Sequence, residues 1–464
     1  MTAQIDRLDT LDIERVVADR RAVFATGRTR GLDWRLRQLD GLIRLLDESE
    51  DQIAAALAAD LGRGAAEAWI ADIASTRGEA EYTRKRLRRW MRSRRVATPI
   101  AQWPARARVR PEPLGTVLII GAWNYPIYLT LGPLVGAVAA GNCVVIKPSE
   151  ISPATSALLA RLLPHYLDPE AVVVVEGAAD VTQRLMAQGF DHVLFTGGTE
   201  IGKKIMAAAA PTLTPVTLEL GGKSPVVIAA DADIAVAARR VAWMKTLNSG
   251  QTCVAPDYVL VERAVAAEFI ARVSEAMREY AINRPDSFLP IVNERQFDRL
   301  VAALEATTGD IAAGGRSERR DLTIQATVVV EPDVSEPLMT EEIFGPLLPI
   351  RTVESVDEAI DFVAARPKPL AFYGFTRSSV TRDRMIDEVP AGGVVINHVA
   401  MHLLVPGLPF GGIGASGMGA YHGRTGFDTF SHAKPVLVRT FQPDLPLVYP
   451  PYTDRALKIM RRVL

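Results

Sequence analysis

Residues 191–203 read DHVLFTGGTEIGK, and this stretch decides how the chain folds. The first five residues, 191–195, form a short apolar run with the look of a buried strand. A helix is expected from Ile201 to Ala210, and a tight glycine turn joins the two. The turn runs Thr196, Gly197, Gly198, Thr199, with Gly202 three residues on. This G-x-T-x-x-G spacing differs from the dinucleotide fingerprint by one Thr in place of a Gly. Backbone N–H groups exposed at a helix N-terminus suit a pyrophosphate. A glycine-rich connector with no ligand would read the same way.

Further strand–loop–helix units lie on either side of this stretch. Residues 115–121 (GTVLIIG), 143–147 (CVVIK) and 172–176 (VVVVE) are short β-branched runs separated by helical stretches, as in a doubly wound parallel sheet. After Leu220 a second α/β set begins, with strands expected at 224–228, 258–261, 327–330 and 394–397. Residues 11–95 read as helices, since Leu42, Leu45, Leu46 and Ile53 recur at helical spacing. A short alternating run at 106–109, followed by Pro111 and Pro113, reads as an exposed strand or hairpin. Glycine and proline cluster again at 406–419, a candidate functional loop.

The chain has 464 residues, beyond the roughly 250–300 that one core supports, so two or more domains are expected. The 53 Lys and Arg nearly cancel the 54 Asp and Glu, which leaves no global field for nucleic acid or a membrane surface. The N-terminus has no apolar signal region, and the longest apolar stretch, 129–141, is too short for a membrane span. The basic segment 456–464 carries no hydrophobic anchor. A cytoplasmic protein is expected. The basic run formed by Arg84, Lys85, Arg86, Arg88, Arg89, Arg92, Arg94 and Arg95 is interleaved with Leu87, Trp90 and Met91. It reads as the solvated face of a helix, with an anion patch as the alternative.

Two cysteines, Cys143 and Cys253, cannot make a disulfide framework. Cys143 sits inside an apolar strand. Cys253 lies in the small-residue loop 248–256 (NSGQTCVAP), where nothing bulky blocks its sulfur. It is a candidate nucleophile once a base or a lowered pKa makes its thiolate available, and a buried inert thiol otherwise. In 218–224 (LELGGKS), leucines flank Glu219. Desolvation there would raise the pKa of its carboxylate and make it a general base near neutral pH. An acidic strand end before a turn is the plainer reading. No metal-ligand spacing is present.

Taken in order, 121–126 (GAWNYP), 147–150 (KPSE), the Gly197 turn, 219–222 (ELGG), 250–253 (GQTC) and 341–346 (EEIFGP) closely resemble the aldehyde dehydrogenase superfamily. Residues 124–126, 253–258 (CVAPDY) and 410–423 (FGGIGASGMGAYHG) look like its class 3 branch, which acts on fatty and aromatic aldehydes. The resemblance implies oxidation of an aldehyde to an acid through a thioester on Cys253. The oxyanion would be held by the Asn124 amide and the Cys253 N–H, and Glu219 would activate the hydrolytic water. It also implies that Lys147 and Glu150 bind the adenosine ribose, and that Glu342 holds the nicotinamide ribose with Phe344 beside it. Thr196, Gly197, Gly198, Thr199, Gly202 and Leu220 would complete the cofactor site. A carboxylate at Glu150 favours NAD, with NADP use left open. How Glu219 and Glu342 share proton transfer stays open as well.

Tyr125, Met244 and Leu403 are candidate walls of the aldehyde pocket, although core packing explains each equally well. Tyr421 and His422 read as loop-packing residues or as proton-transfer groups. Residues 397–403 (NHVAMHL) are individual to this chain at the expected aldehyde entrance, and Gly198 stands where many relatives have Asn or Ser. By resemblance, 1–95 and 112–220 form a Rossmann-like NAD(P)-binding domain and 221–428 a catalytic α/β domain. Residues 96–111 and 429–464 form a bridging and oligomerisation element, with a homodimer as the expected assembly. Three rivals are an acylating dehydrogenase using coenzyme A, a non-catalytic scaffold, and a thiol peroxidase. The retained Glu219, the full set of Cys253, Glu219, Asn124 and Glu342, and the strand position of Cys143 argue against them in turn.

Overall fold

The computed structural model describes residues 12–283 and 289–463. Its first sheet is built around Thr116–Ile120, which pairs in parallel with Cys143–Lys147 on one side and His192–Thr196 on the other. Every residue of these three strands is buried, which β-branched and apolar runs covered on both faces permit. Val172–Val174 extends one flank and Val216–Glu219 the other. The chain therefore winds out in one direction from Thr116–Ile120 and then returns to wind out in the other. A crevice opens at the carboxyl ends of Thr116–Ile120 and His192–Thr196, the switch point where doubly wound sheets hold ligands.

Gly417–Met418 adds an antiparallel edge to this sheet, with Gly417 opposite Glu219 and Met418 opposite Leu218. The sequence division expected this segment in the second domain, and its strand pairing is with the first sheet. The pairing is between residues two hundred positions apart, and nothing local in 406–419 announces it. The neighbouring helix Gly423–Thr429 likewise packs on Tyr128–Ala140 of the first domain.

Tyr128–Ala140 is the apolar stretch that is too short for a membrane. All thirteen of its residues are buried between the sheet and the N-terminal helices. Leu39, Leu42, Leu45 and Leu46 of Leu32–Glu48 lie fully buried in the same core. A Cβ on Gly136 would stand 3.0 Å from the backbone of Gly426, so the two helices touch there without side chains. Gly136→Val is therefore expected to cost ~1–3 kcal/mol of stability by overpacking, read as a lowered midpoint of urea unfolding.

The second sheet has seven strands in the order Asp310–Ala313, Thr327–Val330, Leu347–Val353, Tyr258–Glu262, Pro225–Ile228, Ala371–Phe375 and Gly393–Ile396. Only the first is antiparallel. Leu347–Val353 escapes a sequence reading because Pro349 lies inside it, and proline cannot donate to a ladder. The structure accommodates it where the strand is paired on one side only. Pairing to Tyr258–Glu262 begins at Ile350.

A three-stranded antiparallel sheet of Arg94–Val96, Arg106–Pro113 and Ser431–Val438 stands apart from both domains' sheets. The basic run covers the end of the helix Ala74–Trp90, where Arg84 pairs with Asp40, but it continues past the expected helix face through Arg92 to Arg94 and Arg95 of the strand Arg94–Val96. No helix among the described residues is long and apolar enough to cross a membrane.

Candidate active site

Cys253 follows the helix Ile234–Thr246 and the tight turn Leu247–Gly250. Asn248 (φ 52°), Ser249 (φ 51°) and Gly250 (φ 69°) are all left-handed, a conformation that survives only when its surroundings hold it. They do so here. Ser249 Oγ donates to the Leu289 carbonyl (2.6 Å), and Gln251 Nε2 donates to the carbonyls of Asn248 and Pro290 (both 3.1 Å). The Val292 N–H donates back to Gln251 Oε1 (2.9 Å). Gly250 has no room for a side chain, since its Cβ would lie 2.3 Å from the Gly345 carbonyl oxygen.

The loop carrying Asn124 joins Thr116–Ile120 to Tyr128–Ala140 and is stitched to the cysteine loop. Asn124 Nδ2 donates to the Gln251 carbonyl (3.1 Å), and so does Asn248 Nδ2 (3.1 Å). An amide has two N–H bonds, so Asn124 keeps a second one for a ligand. The Tyr125 hydroxyl bonds Thr252 Oγ1 (2.6 Å), one residue from the sulfur. On its other side the Asn124 loop meets the buried pair Arg63–Asp72, two residues that no local signal in the sequence marks as part of a site.

Two carboxylates lie within electrostatic reach of the cysteine. Glu219 ends the strand Val216–Glu219, and both its oxygens are buried without a partner. Burial alone pushes its pKa well above the ordinary carboxylate value. The residue Glu342 is half-buried, but its Oε1 is shielded from solvent and unpartnered. Burial first and the nearby Asp257 second raise its pKa to about 7, against the opposing pull of the Gly222 N–H, Lys223 and Arg299. Burial and the charges of Glu342 and Glu219 together push the Cys253 thiol up to about 12, so the resting sulfur is protonated.

Lys223, Asp257 and Arg299 pin the Glu342 segment, a role sequence reading did not assign them. Lys223 Nζ donates to the carbonyls of Leu338 (2.8 Å) and Glu341 (2.7 Å) and pairs with Asp257. Asp257 Oδ1 accepts from the Ile343 N–H (3.0 Å), and Arg299 donates to the Glu342 and Ile343 carbonyls (3.1 and 2.6 Å). Phe344 then meets Trp123 edge-on, with ring centroids 5.4 Å apart, which brings the Glu342 and Asn124 loops together.

Thr196, Gly197, Gly198, Thr199, Gly202 and Leu220 cluster where the strand His192–Thr196 turns into the helix Thr199–Ala209 and where Val216–Glu219 ends beside it. The helix Thr199–Ala209 has no side-chain cap, and the space in front of Gly198 is open. A Cβ on Gly202 would sit 2.6 Å from the Leu220 side chain, so the helix packs tightly on the strand behind it. Thr196 Oγ1 and Glu342 Oε1 are buried acceptors without partners. An open, uncapped helix N-terminus with orphaned polar atoms at either end fits a dinucleotide. At the end of Cys143–Lys147, the buried Lys147 Nζ donates to Glu150 Oε2 (2.6 Å) and the Gly177 carbonyl (2.9 Å). A cleft of roughly 580 Å³ runs past Thr199, Gly222, Lys223, Glu342 and Ser416.

The pocket candidates separate. Tyr125 stays with the site. Met244 is buried in the main core, while Leu403 is half-buried in the turn Met401–Leu404 and, like Cys253, packs against that core. The Tyr128 hydroxyl bonds His422 Nε2 (2.8 Å), and burial lowers the His422 pKa to about 3, so this ring is neutral. Cys143 is buried in its strand.

A family model described as the aldehyde dehydrogenase family matches residues 1–436. An aldehyde dehydrogenase of Craterostigma plantagineum is 42% identical, over 98% of this chain and 97% of that protein. Aldehyde dehydrogenase family 3 member A2 of Mus musculus is 45% identical, over 95% and 92%. Among solved structures, a substrate-bound Staphylococcus aureus AldH superposes with a TM-score of 0.94 at 40% identity, covering 98% of this chain and 99% of that one. A betaine aldehyde dehydrogenase of the same organism, in complex with NAD+, has a TM-score of 0.86 at 25% identity, covering 95% and 89%.

Proposed function

This chain belongs to the aldehyde dehydrogenase family, in its class 3-like branch, and from that premise we propose that it oxidises medium- or long-chain aliphatic or aromatic aldehydes to carboxylic acids through a thioester on Cys253. One observation carries the reading. A cysteine on a strained, rigidly held loop has an amide donor tied to that loop and two carboxylates with buried, unpartnered oxygens within electrostatic reach of its sulfur.

The protonated thiol must lose its proton as it adds to the carbonyl carbon. Glu342, which titrates near neutrality, and Glu219 are the acceptors within electrostatic reach. The carbonyl oxygen becomes an oxyanion, met by the second Asn124 N–H and the backbone N–H of Cys253. A bound nicotinamide dinucleotide supplies the hydride acceptor, and the oxidised carbon stays on sulfur as a thioester. Glu219 then takes a proton from water, the resulting hydroxide attacks the thioester, and the thiolate leaves with release of the acid. A carboxylate waiting for water has no need of a protein partner, in keeping with the two orphaned oxygens of Glu219.

Lys147 and Glu150 would hold the adenosine ribose, and Glu342 the nicotinamide ribose. The Glu150 carboxylate accepts from a 2′-hydroxyl and repels a 2′-phosphate, which makes NAD the favoured cofactor. Glu150→Gln is expected to raise the ratio of NADP to NAD kcat/KM by about tenfold, since a like charge next to the phosphate is removed. An unchanged ratio would place the discriminating group elsewhere. We further read the separate three-stranded sheet as a homodimer surface, because the edge strand Ser431–Val438 leaves Leu437 and Val438 exposed.

The test of the whole reading is steady-state reduction of NAD and NADP across aliphatic aldehydes of increasing length and substituted benzaldehydes, with and without coenzyme A. Cofactor reduction that needs no coenzyme A supports it. Dependence on coenzyme A would favour acyl transfer, and inactivity with every aldehyde would favour a scaffold.

A further inference from the structure

We propose that Arg63, itself held by Asp72, is a positioning residue that sets the backbone at Asn124 and so aims the Asn124 amide at the oxyanion on the Cys253 adduct; this rests on the reading of Asn124 as the oxyanion donor. Both charged side chains are wholly removed from solvent. Arg63 Nη1 pairs with Asp72, while Nη2 donates to the Asn124 carbonyl (2.7 Å), and the guanidinium lies 4.7 Å from the Tyr125 ring centroid. Asp72 Oδ1 accepts the N–H groups of Ile127 (3.1 Å) and Tyr128 (2.9 Å). One ion pair therefore grips the Asn124 loop at Asn124 itself and at the start of the helix that follows.

The grip reaches the chemistry by a short path. The gripped carbonyl belongs to Asn124 itself, so any shift of it moves the Cα that carries the amide. Asn248 Nδ2 also donates to that carbonyl (3.2 Å), while Glu67 Oε1 accepts the Asn248 N–H (2.8 Å). The segment from Arg63 to Asp72 thus contacts both the donor loop and the cysteine loop. Asp72 comes from a π-helical turn, Trp69–Ile73, a local departure from the α-helix that is frequent at functional sites.

Geometry explains the choice of arginine. A planar guanidinium presents donors in a fixed fork, so one side chain serves the Asp72 carboxylate and the Asn124 carbonyl together. A lysine ammonium keeps the charge opposite Asp72 but is a single point that cannot hold both directions. Arg63→Lys therefore separates charge pairing from positioning.

The experiment is a double-mutant cycle on the full-length enzyme with Arg63→Lys and Asn124→Ala, reading kcat, KM, NAD affinity and melting temperature. Asn124→Ala is expected to lower kcat by about 100- to 1000-fold, the loss typical of one oxyanion donor. Arg63→Lys is expected to lower kcat by about 10- to 100-fold, with KM, NAD affinity and melting temperature nearly unchanged. In the Asn124→Ala background it should cost less than about twofold more, because the group it aims is gone.

Equal losses in both backgrounds, or an unchanged kcat in Arg63→Lys alone, would overturn the proposal. An unchanged kcat in Asn124→Ala would overturn the donor reading instead, a result distinct from a normal Asn124 loss with an uncoupled Arg63. If Arg63→Lys does not fold, the paired variant Arg63→Met with Asp72→Asn, which removes the donor to the Asn124 carbonyl without leaving a lone buried charge, takes its place in the cycle. Failure of both to fold would mark the pair as holding the fold as a whole and end the proposal.

Discussion

Cys253→Ala is expected to lower kcat/KM for aldehyde oxidation by at least about 10,000-fold, as loss of a covalent nucleophile typically does. NAD affinity should survive, because the crevice at Thr196–Gly202 is built from a different strand–helix unit. The thiol is the group on the strained loop that can form a carbon bond, and alanine leaves the loop's hydrogen bonds untouched, since those come from Ser249 and Gln251. The pKa adds a second readout. With the thiol held near 12 by burial and by Glu342 and Glu219, the cofactor-free enzyme should react slowly with iodoacetamide at neutral pH and faster as pH rises. Titration calorimetry with NAD and single-turnover reduction with aldehyde check the two halves. Retained turnover in the alanine variant, or loss of NAD binding alone, would remove Cys253 from the nucleophile's place.

Glu219→Gln should slow deacylation by about 100- to 10,000-fold, the range of a lost general base. If the acyl-enzyme still forms at a near-normal rate, the variant should show a burst of reduced cofactor close to one per active site, followed by a slow steady state. The pH dependence has a definite sign. A raised pKa keeps the Glu219 proton on to higher pH, so the base form is scarce in acid and accumulates as pH rises. Wild-type deacylation should therefore climb with pH, and the Gln variant should lose that rising limb. Glu342→Gln separates the two carboxyls. If it removes the limb while Glu219→Gln leaves the steady rate intact, the base is Glu342, which titrates at about 7.

Much of the fold was readable because it is written in local patterns. The β-branched runs around Thr116–Ile120, Cys143–Lys147 and His192–Thr196 can only be strands covered on both faces. The apolar stretch at Tyr128–Ala140 became a core helix because its length fits a domain and not a bilayer. Leu347–Val353 was not readable, as its proline is tolerated only through one-sided pairing that the partner strands determine. The pairing of Gly417–Met418, read in the sequence as part of a loop, was not readable for a similar reason. A two-residue bridge to Leu218 and Glu219 leaves no periodicity to detect.

The site divides along the same line. Cys253, Glu219, Asn124 and Glu342 could be named as candidates because each sits in a short motif of small residues or glycines whose order along the chain is informative. Arg63, Asp72, Lys223, Asp257 and Arg299 carry no such motif, and they matter through contacts with backbone groups tens to hundreds of residues away.

From its residues alone, then, the chain determined its α/β class and its glycine turn at a strand end, and it offered Cys253 and Glu219 as candidates beside plainer readings that only the family resemblance set aside, since propensity, turn chemistry and nucleophilicity belong to individual residues and their neighbours. Only the tertiary structure decided that the resting thiol is protonated, that Glu219 and Glu342 hold their protons to higher pH, and that a buried arginine grips the carbonyl of Asn124. Desolvation and long-range hydrogen bonding are properties of everything packed around a group, so neither exists until the chain has folded.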